Sequence, residues 1–465
     1  MSHANAAASP VIDALVAAFG ADELLAGDAS PRHLKDWSGV AGGVPLAILR
    51  PRSTDELSRM VAICHAHGQR VVVQGGLTGL VGGAVPGEGE VVVSLERMNR
   101  IESIDVDSGT ATVQAGAVLQ AVQDACRDAG ALLAVDLGAR GSCQLGGNVA
   151  TNAGGNRVIR YGNTRESVLG LEVVLADGTV LSMMNRMAKN NAGMDLKHLF
   201  IGSEGVLGIV TRVVLRLQPL PRGTSTALVA LQDYTAALRF LRHAQQSLSG
   251  QVSAFEIMWR DYLETAVEAN RLRRPLAGDY PVYVLIDMHC GQPETDGERF
   301  EAMLEQAIEA GWILDAAIAQ SVADTEAFWA IRDGIAEVLR DYAPTLNFDV
   351  SVPVADIGDC AARVRANLER DGPQLKALFF GHVGDGNLHV VVCRVPRDAD
   401  SLHRIEDAVY SVVRKQGGSV SAEHGIGRLK RDWLHYSRSE AEIALMRTLK
   451  TALDPQGILN PGRMI

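Results

Sequence analysis

With 465 residues, 47% of them hydrophobic and 21% charged, the chain is long enough for two or three packed units and too apolar to be a disordered protein. A formal net charge of −11 without any Lys/Arg block argues against a nucleic-acid partner, since neutralising phosphates needs a basic face. Residues 1–10 lack the basic start and apolar core of a secretion signal, and no run of about eighteen apolar residues follows, so a cytoplasmic protein is expected, with peripheral attachment at the inner membrane left open.

After an N-terminal segment (1–44), a strand-like run at Leu46 to Leu49 leads to Ser53 and Glu56, the pattern of a capping box. It opens a helix whose Leu57, Met60, Val61 and Cys64 share one face and which Gly68 closes. A strand from Arg70 to Val73 then delivers the chain to a glycine tract. Further strands are expected from Val91 onward, with a turn at Asp107-Ser-Gly, and a helix around Val118, Leu119, Val122 and Cys126 ends at Gly130. A second glycine-rich tract covers 138–162. Beyond it lies a hairpin, Leu171 to Leu175 and Val180 to Met183, turning at Asp177-Gly178, and a strand from Val210 to Leu217 runs into Pro219 and Pro221.

From about residue 224 the texture changes. Amphipathic helices at Tyr234 to Leu248, Arg299 to Ala310 and Thr325 to Arg340 alternate with strands such as Val282 to Met288 and Leu375 to Phe380. The tail carries a helix near Leu402 to Lys415, another helix, and a terminal turn from Leu453 to Gly462. The six cysteines have no C-x-x-C spacing and read as reduced, buried small hydrophobes.

Seven of the fifteen residues from Gly75 to Gly89 are glycine, directly after a strand, so backbone N–H groups there can approach a phosphate closely. No Gly-Lys-Ser/Thr follows and no helix opens after the glycines, which excludes both a P-loop and a Rossmann turn. In the second tract Gly146, Gly147, Gly154, Gly155 and Gly162 interleave with Asn148, Thr151 and Asn152, adding hydrogen-bonding groups to the same chemistry.

The segments QGGLTGLVGG (74–83), DLGARGSCQLGGNVATNAGG (136–155) and IGSEGVLGIVT (201–211) resemble the FAD-binding domain of the vanillyl-alcohol oxidase superfamily. That resemblance implies pyrophosphate binding by Gly75, Gly76, Thr78, Gly79 and Leu80. It implies flavin contacts from Leu137, Gly138, Ser142, Gly146, Asn148, Thr151, Gly155, Gly205, Ile209 and Asn460. The first loop offers no His or Cys to tether a flavin and the second tract offers only Cys143, so a non-covalent FAD is expected.

His382-Val-Gly-Asp-Gly-Asn-Leu-His389 sets two imidazoles seven apart, a spacing that points to opposite faces of a regular strand unless Gly-Asp-Gly makes a turn. Two histidines alone suit a buried or surface pair equally well. Glu423-His424 alters this: two imidazoles and a carboxylate with open positions suit Zn²⁺ or a similar divalent ion, leaving His424 for proton transfer.

HVGDGNLH with SAEHGIG (421–427), SAFE (253–256) and LDPQGILNPG (453–462) resembles the D-2-hydroxyglutarate and D-lactate dehydrogenase branch of that superfamily. The resemblance implies His382, His389 and Glu423 as metal ligands, His424 as base, Asn387 and Asn460 as substrate and flavin contacts, and Arg332 as the grip on a substrate carboxylate. Where 2-hydroxyglutarate enzymes of this kind usually carry a hydroxyl and a lysine, this chain has Ala336 and Asn347, which opens the substrate to lactate or another 2-hydroxy acid.

The expectation is therefore an α+β protein: an FAD-binding domain of two α/β subdomains (45–222), an α/β substrate and metal domain (223–400) and a helical segment completing the active site (401–465). Its partners are a small 2-hydroxy acid and an acceptor such as electron-transfer flavoprotein, a quinone or a cytochrome, with a homodimer compatible. A non-redox alkyl transferase on the same scaffold and a non-catalytic flavin binder are the alternative readings.

Overall fold

The computed structural model describes residues 9–27, 30–372 and 375–465; the reading of residues 1–8 lies outside them. Two compact units emerge. One gathers residues up to Ala153, Asn163–Leu220 and His424–Ile465; the other holds Gly154–Gly162 and Pro221–Glu423. Among the described residues no helix is long and apolar enough to cross a membrane.

In the first unit a four-stranded sheet runs Leu24–Ala26, Ala47–Leu49, Val91–Ser94, Val71–Gln74, the last three mutually parallel. The parallel strands are connected by the crossover helix Thr54–Ala66, whose Leu57, Met60, Val61 and Cys64 are buried as their spacing predicts. Ser53 does cap that helix, accepting from Glu56 N, but the Glu56 carboxylate accepts from Arg52 N rather than closing a capping box on Ser53. A five-stranded antiparallel sheet, Ile101–Asp105, Thr110–Gln114, Ile209–Arg216, Val168–Val174 and Val180–Met183, completes the unit.

The chain's last residues return to this unit and extend its parallel sheet. Val71 N donates to Ile458 O, and Asn460 N donates to Val71 O. Three residues on, Arg463 donates through Nη2 to Val85 O and through Nε to Gly83 O, and its guanidinium pairs with Glu90 at 2.9 Å with both partners buried. Glu90 in turn accepts from Gly87 N. The first glycine loop is thus braced by charge from the far end of the chain.

The second unit is a seven-stranded antiparallel sheet in the order Ile313–Ile318, Gly223–Leu231, Val282–Cys290, Val252–Trp259, Lys376–His382, Asn387–Cys393, Thr345–Ser351. One face buries Ala227, Val229, Phe255 and Ile257 beneath the helices Tyr234–Ser247 and Pro293–Glu309. The other buries Met258, Leu285, Leu378, Phe380 and Val391 beneath the helices Arg260–Asn270 and Val322–Asp333.

Two helix expectations need correction. The predicted Thr325 to Arg340 helix is two, Val322–Asp333 and Ile335–Asp341, because Asn270 Nδ2 donates to Gly334 O and leaves no room for a side chain there. The predicted start at Arg299 lies at Pro293 instead, where Asp296 accepts from Gly291 N and Gln292 N.

Removing Arg463 leaves the Glu90 carboxylate buried without its cation, a change that costs about 3–5 kcal/mol. Burial pushes the Glu90 carboxyl upward, but Arg463 and the Gly87 N–H outweigh it and hold it below its ordinary value. The stabilisation is therefore present above the unfolded-state value and is lost as pH falls through the lowered folded one. Urea denaturation should show Arg463→Ala less stable by that amount at pH 7, with the difference shrinking in acid.

Candidate active site

The two histidines of the second unit meet because the chain turns between them. Strand Lys376–His382 gives way to a short 3₁₀ turn, Val383–Asp385, and then to Gly386 at φ 88°, where a side chain would also crowd Val352 O. The hairpin register pairs Phe380 with His389, which places His382 and His389 on one sheet face with ring centroids 5.3 Å apart. Spacing in the sequence opposes them; the turn reverses that.

Glu423 reaches the same face from a loop. Asp349, paired with His389 across the sheet, is fully buried and accepts from Glu423 N at 2.8 Å and Ala422 N at 3.2 Å, fixing the loop backbone. Ligand atoms of His382, His389 and Glu423 all lie within 4.8 Å of one another. Glu423 Oε1, 3.6 Å from His382 Nε2, is buried with no hydrogen-bond partner, and so is Asn387 Oδ1. A buried Glu423 oxygen without a hydrogen-bond partner, grouped with two imidazoles, fits a divalent cation, because a cation satisfies all three ligands at once.

A residue that sequence reasoning passed over organises this cluster. Glu256 lies opposite His382 in the neighbouring strand and is almost fully buried. Its Oε1 sits 2.7 Å from His382 Nδ1, and its Oε2 accepts from Arg332 Nε at 2.8 Å. The first contact fixes which imidazole nitrogen carries hydrogen and turns Nε2 toward Glu423. The second holds Arg332, whose guanidinium also lies over Phe380 and brings Nη2 to 3.2 Å from His382 Nε2. Glu256 belongs to the SAFE motif, but nothing in that segment shows that it faces His382.

Charge in the cluster is tightly shared. Burial opposes protonation of His382, yet Glu256 and Glu423 outweigh it and lift its pKa to about 9. Burial pushes Glu423 up to about 7 against the pull of His382, and pushes Asp385 up to about 6. Glu256 is pressed upward by burial but held below its ordinary value by His382 and Arg332.

The remaining predicted residues are placed as follows. Asn387 donates through Nδ2 to Asp349 Oδ1 and Val350 O, so only its oxygen is open to another group. Arg332 points into the cluster from the last turn of its helix instead of into solvent. His424 begins the C-terminal stretch of the first unit, directly after Glu423 in the chain. Ala336 and Asn347 are both exposed, and Asn347 pairs with Val391 across the sheet.

In the first unit the two glycine tracts pack on each other. A side chain at Gly76 would lie 2.2 Å from Ser142 O, and one at Gly75 would meet Gln144 and Gly147. Gln74 closes the base of the loop, donating to His33 O and Ala84 O, while Thr78, Gly79 and Leu80 lie along its open part. Leu137, Gly138 and Ser142 lead into a helix, Leu145–Thr151, that its two glycines conceal in the sequence. It forms because Leu145 N and Gly146 N donate to Ala117 O and Ala115 O, and because Gly146 packs directly on Ala115. Asn148 lies buried on it beside Cys143, and Thr151 bonds back to Gly147 O.

Asn460 spans two loops, accepting from Val73 N and donating to Glu204 O, and its amide crowds the space above Gly205. The Ile209 side chain lies in the core, leaving only its backbone for a ligand, and Gly155 falls in the other unit. Gln144 Oε1, beside Gly75, is buried without a partner. A cradle with an unused acceptor, where added methyl groups would collide, fits a bound dinucleotide flavin. Glu204, Gln74, Glu90 and Arg463 were not singled out in the sequence; Glu204, Gln74 and Arg463 bond backbone groups of other segments, and Glu90 pairs with Arg463.

Comparison with known proteins accords with this geometry. Residues 45–183 match the FAD binding domain and residues 220–464 match the C-terminal domain of FAD linked oxidases. A D-2-hydroxyglutarate dehydrogenase of Xanthomonas citri pv. viticola is 41% identical over 92% of this chain and 91% of its own length. The mitochondrial D-2-hydroxyglutarate dehydrogenase of Arabidopsis thaliana is 40% identical over 92% of this chain and 77% of its own. The solved structure of p-cresol methylhydroxylase with substrate bound superposes with a TM-score of 0.78 at 18% identity, covering 98% of this chain and 96% of that one, and so shares the fold, which is of the vanillyl-alcohol oxidase type. The chain belongs to the FAD-linked oxidase family and is an FAD-dependent oxidoreductase of its D-2-hydroxyacid dehydrogenase branch.

Proposed function

We propose that this chain oxidises a D-2-hydroxy acid to the 2-oxo acid, with His382, His389 and Glu423 holding a divalent cation and His424 taking the hydroxyl proton. The observation that carries this reading is the buried, unpartnered Glu423 Oε1 facing His382 Nε2. A three-residue His₂Glu set leaves coordination positions open, the arrangement of a catalytic Zn²⁺, and such an ion would bind the carboxylate and hydroxyl of a 2-hydroxy acid. FAD, when bound, accepts the hydride.

Arg332 is the residue of the cluster suited to a substrate carboxylate. Its Nε is held by Glu256, and its Nη2 edge faces His382 Nε2, so with a cation held by that nitrogen the edge would be free for a substrate carboxylate. Ala336 and Asn347, in place of a hydroxyl and a lysine, remove a donor and a charge that a second carboxylate would need, which favours D-lactate and other D-2-hydroxy acids with a neutral side chain over D-2-hydroxyglutarate.

The FAD is bound without a covalent link. Burial raises the Cys143 thiol pKa, and its sulfur lies in contact with Asn148 Nδ2, so no activated nucleophile lies in the second tract. Reoxidation falls to a separate acceptor such as electron-transfer flavoprotein, a quinone or a cytochrome.

Acid precipitation should release all the yellow cofactor into the supernatant; flavin retained on the pellet would refute the non-covalent assignment. Anaerobic mixing with a panel of D- and L-2-hydroxy acids should bleach the flavin with D-lactate faster than with D-2-hydroxyglutarate. Asn347→Lys should improve the dicarboxylate by roughly ten- to hundredfold in KM, the effect of about 1.5–3 kcal/mol for one charged hydrogen bond. His424→Ala should keep its flavin while flavin reduction slows by about a hundredfold or more; unchanged reduction removes His424 from the reaction.

Because His382 at about 9 and Glu423 at about 7 must release protons to bind a cation, Zn²⁺ affinity should rise with pH through that range. Both partners of Glu256 are donors, and a glutamine offers only one acceptor oxygen. Glu256→Gln should therefore weaken Zn²⁺ binding by about 10–100-fold in equilibrium dialysis. Affinity unaffected by pH and by this substitution would place the cation elsewhere.

A further inference from the structure

Residues 185–199 of the first unit carry a run of exposed apolar side chains on an otherwise acidic chain. Met194 is 85% exposed, Met187 59%, Leu196 41% and Leu199 37%, so four large apolar side chains face solvent within one short stretch. Clustered exposure of this kind marks an interaction surface, and methionine adapts its shape to varied partners. Beside it lies a cavity of about 400 Å³ whose rim carries Arg165, Lys189, Lys197 and Arg216 against two carboxylates, Glu166 and Asp195. Asp195 and Lys197 pair with each other, which leaves Arg165, Lys189 and Arg216 against Glu166. A cationic patch on a chain of net charge −11 is a local reversal of sign.

The same surface is joined to the flavin tract by a short run of hydrogen bonds. Arg165 donates through its guanidinium to Ile201 O at 2.6 Å and His198 O at 3.3 Å, and through its backbone N to Asn152 Oδ1. One step further, Gly202 N donates to Val149 O and Glu204 N to Ala150 O, both on the helix Leu145–Thr151 of the second glycine tract.

We propose that this surface docks an acidic one-electron carrier protein that reoxidises the flavin, an inference that rests on the dehydrogenase reading above. Each hydroxy acid yields two electrons and two protons. The electrons leave singly to two carrier molecules in succession, and the protons pass to solvent. Opposite charge steers the carrier to the patch, and the exposed methionines and leucines supply the apolar contact that holds it there. A second copy of this chain is a poorer occupant, because a two-fold interface would set the Lys189 and Arg216 cations of one copy against the same cations of the other.

The test uses the flavin-loaded full chain and the double variant Lys189→Glu/Met194→Asp. Stopped-flow reoxidation is followed with rubredoxin as an acidic carrier, cytochrome c as a basic one, and dichlorophenolindophenol as a small acceptor. The native protein should reduce rubredoxin faster than cytochrome c, with a rate that falls as salt is added. The double variant should lose at least tenfold with rubredoxin while flavin reduction by D-lactate and reoxidation by the dye stay unchanged. An unchanged rubredoxin rate overturns the proposal. So does a variant that sediments as a smaller species, which would make the patch a self-interface, or one that loses binding to vesicles of anionic lipid, which would make it a membrane contact. Should no hydroxy acid reduce the flavin, the dehydrogenase reading fails by itself, and dithionite-reduced protein still tests the docking.

Discussion

Glu256 is the group on which the chemistry of the second unit turns. A carboxylate taken out of water costs several kcal/mol unless donors replace the lost solvation, and here one oxygen meets His382 and the other meets Arg332. Those two partners are the residues that the proposed reaction aims, one at a cation and one at a substrate carboxylate. Their alignment is a matter of strand register: Glu256 lies opposite His382, and Phe380 lies opposite His389. The register is held by the apolar residues of that same face, Met258, Leu378, Phe380 and Val391. A slip of one residue would turn the whole set over, so the hydrophobic core and the charged cluster specify each other.

The first unit reaches a comparable end by different means. Its glycine loops have few side chains with which to hold themselves, and the holding is done by polar groups from flanking and remote segments. Arg463 and Asn460 come from the C-terminal tail, Gln74 from the strand before the loop, and Glu204 from the turn that accepts Ile426 N and Gly427 N. Glycine permits close approach to a dinucleotide, and the brackets around it remove the freedom that glycine would otherwise bring.

Much of the site was legible because its chemistry is local. HVGDGNLH contains both imidazoles and the breakers that force a turn, and Glu423-His424 contains the carboxylate and the proposed base side by side. Less legible was whatever depends on packing. Leu145–Thr151 is helical despite Gly146 and Gly147, because its first N–H groups find acceptors at Ala115 and Ala117. The helix expected through Gly334 breaks because an asparagine from another helix bonds that carbonyl. Propensity has no access to either partner.

From the sequence alone, a glycine tract followed by neither Gly-Lys-Ser/Thr nor a helix excluded the P-loop and the Rossmann turn, and the pattern of histidines, glutamate and glycines marked the candidate reacting groups. Those inferences rest on covalent and conformational rules that act within a few residues. The tertiary structure decided which face the histidines share, that Glu256 orients His382 and Asp349 anchors the Glu423 loop, that Arg332 points inward, and that the last residues of the chain brace the first glycine loop. These are contacts between residues far apart in the chain, fixed by strand register and core packing, and no local pattern encodes them.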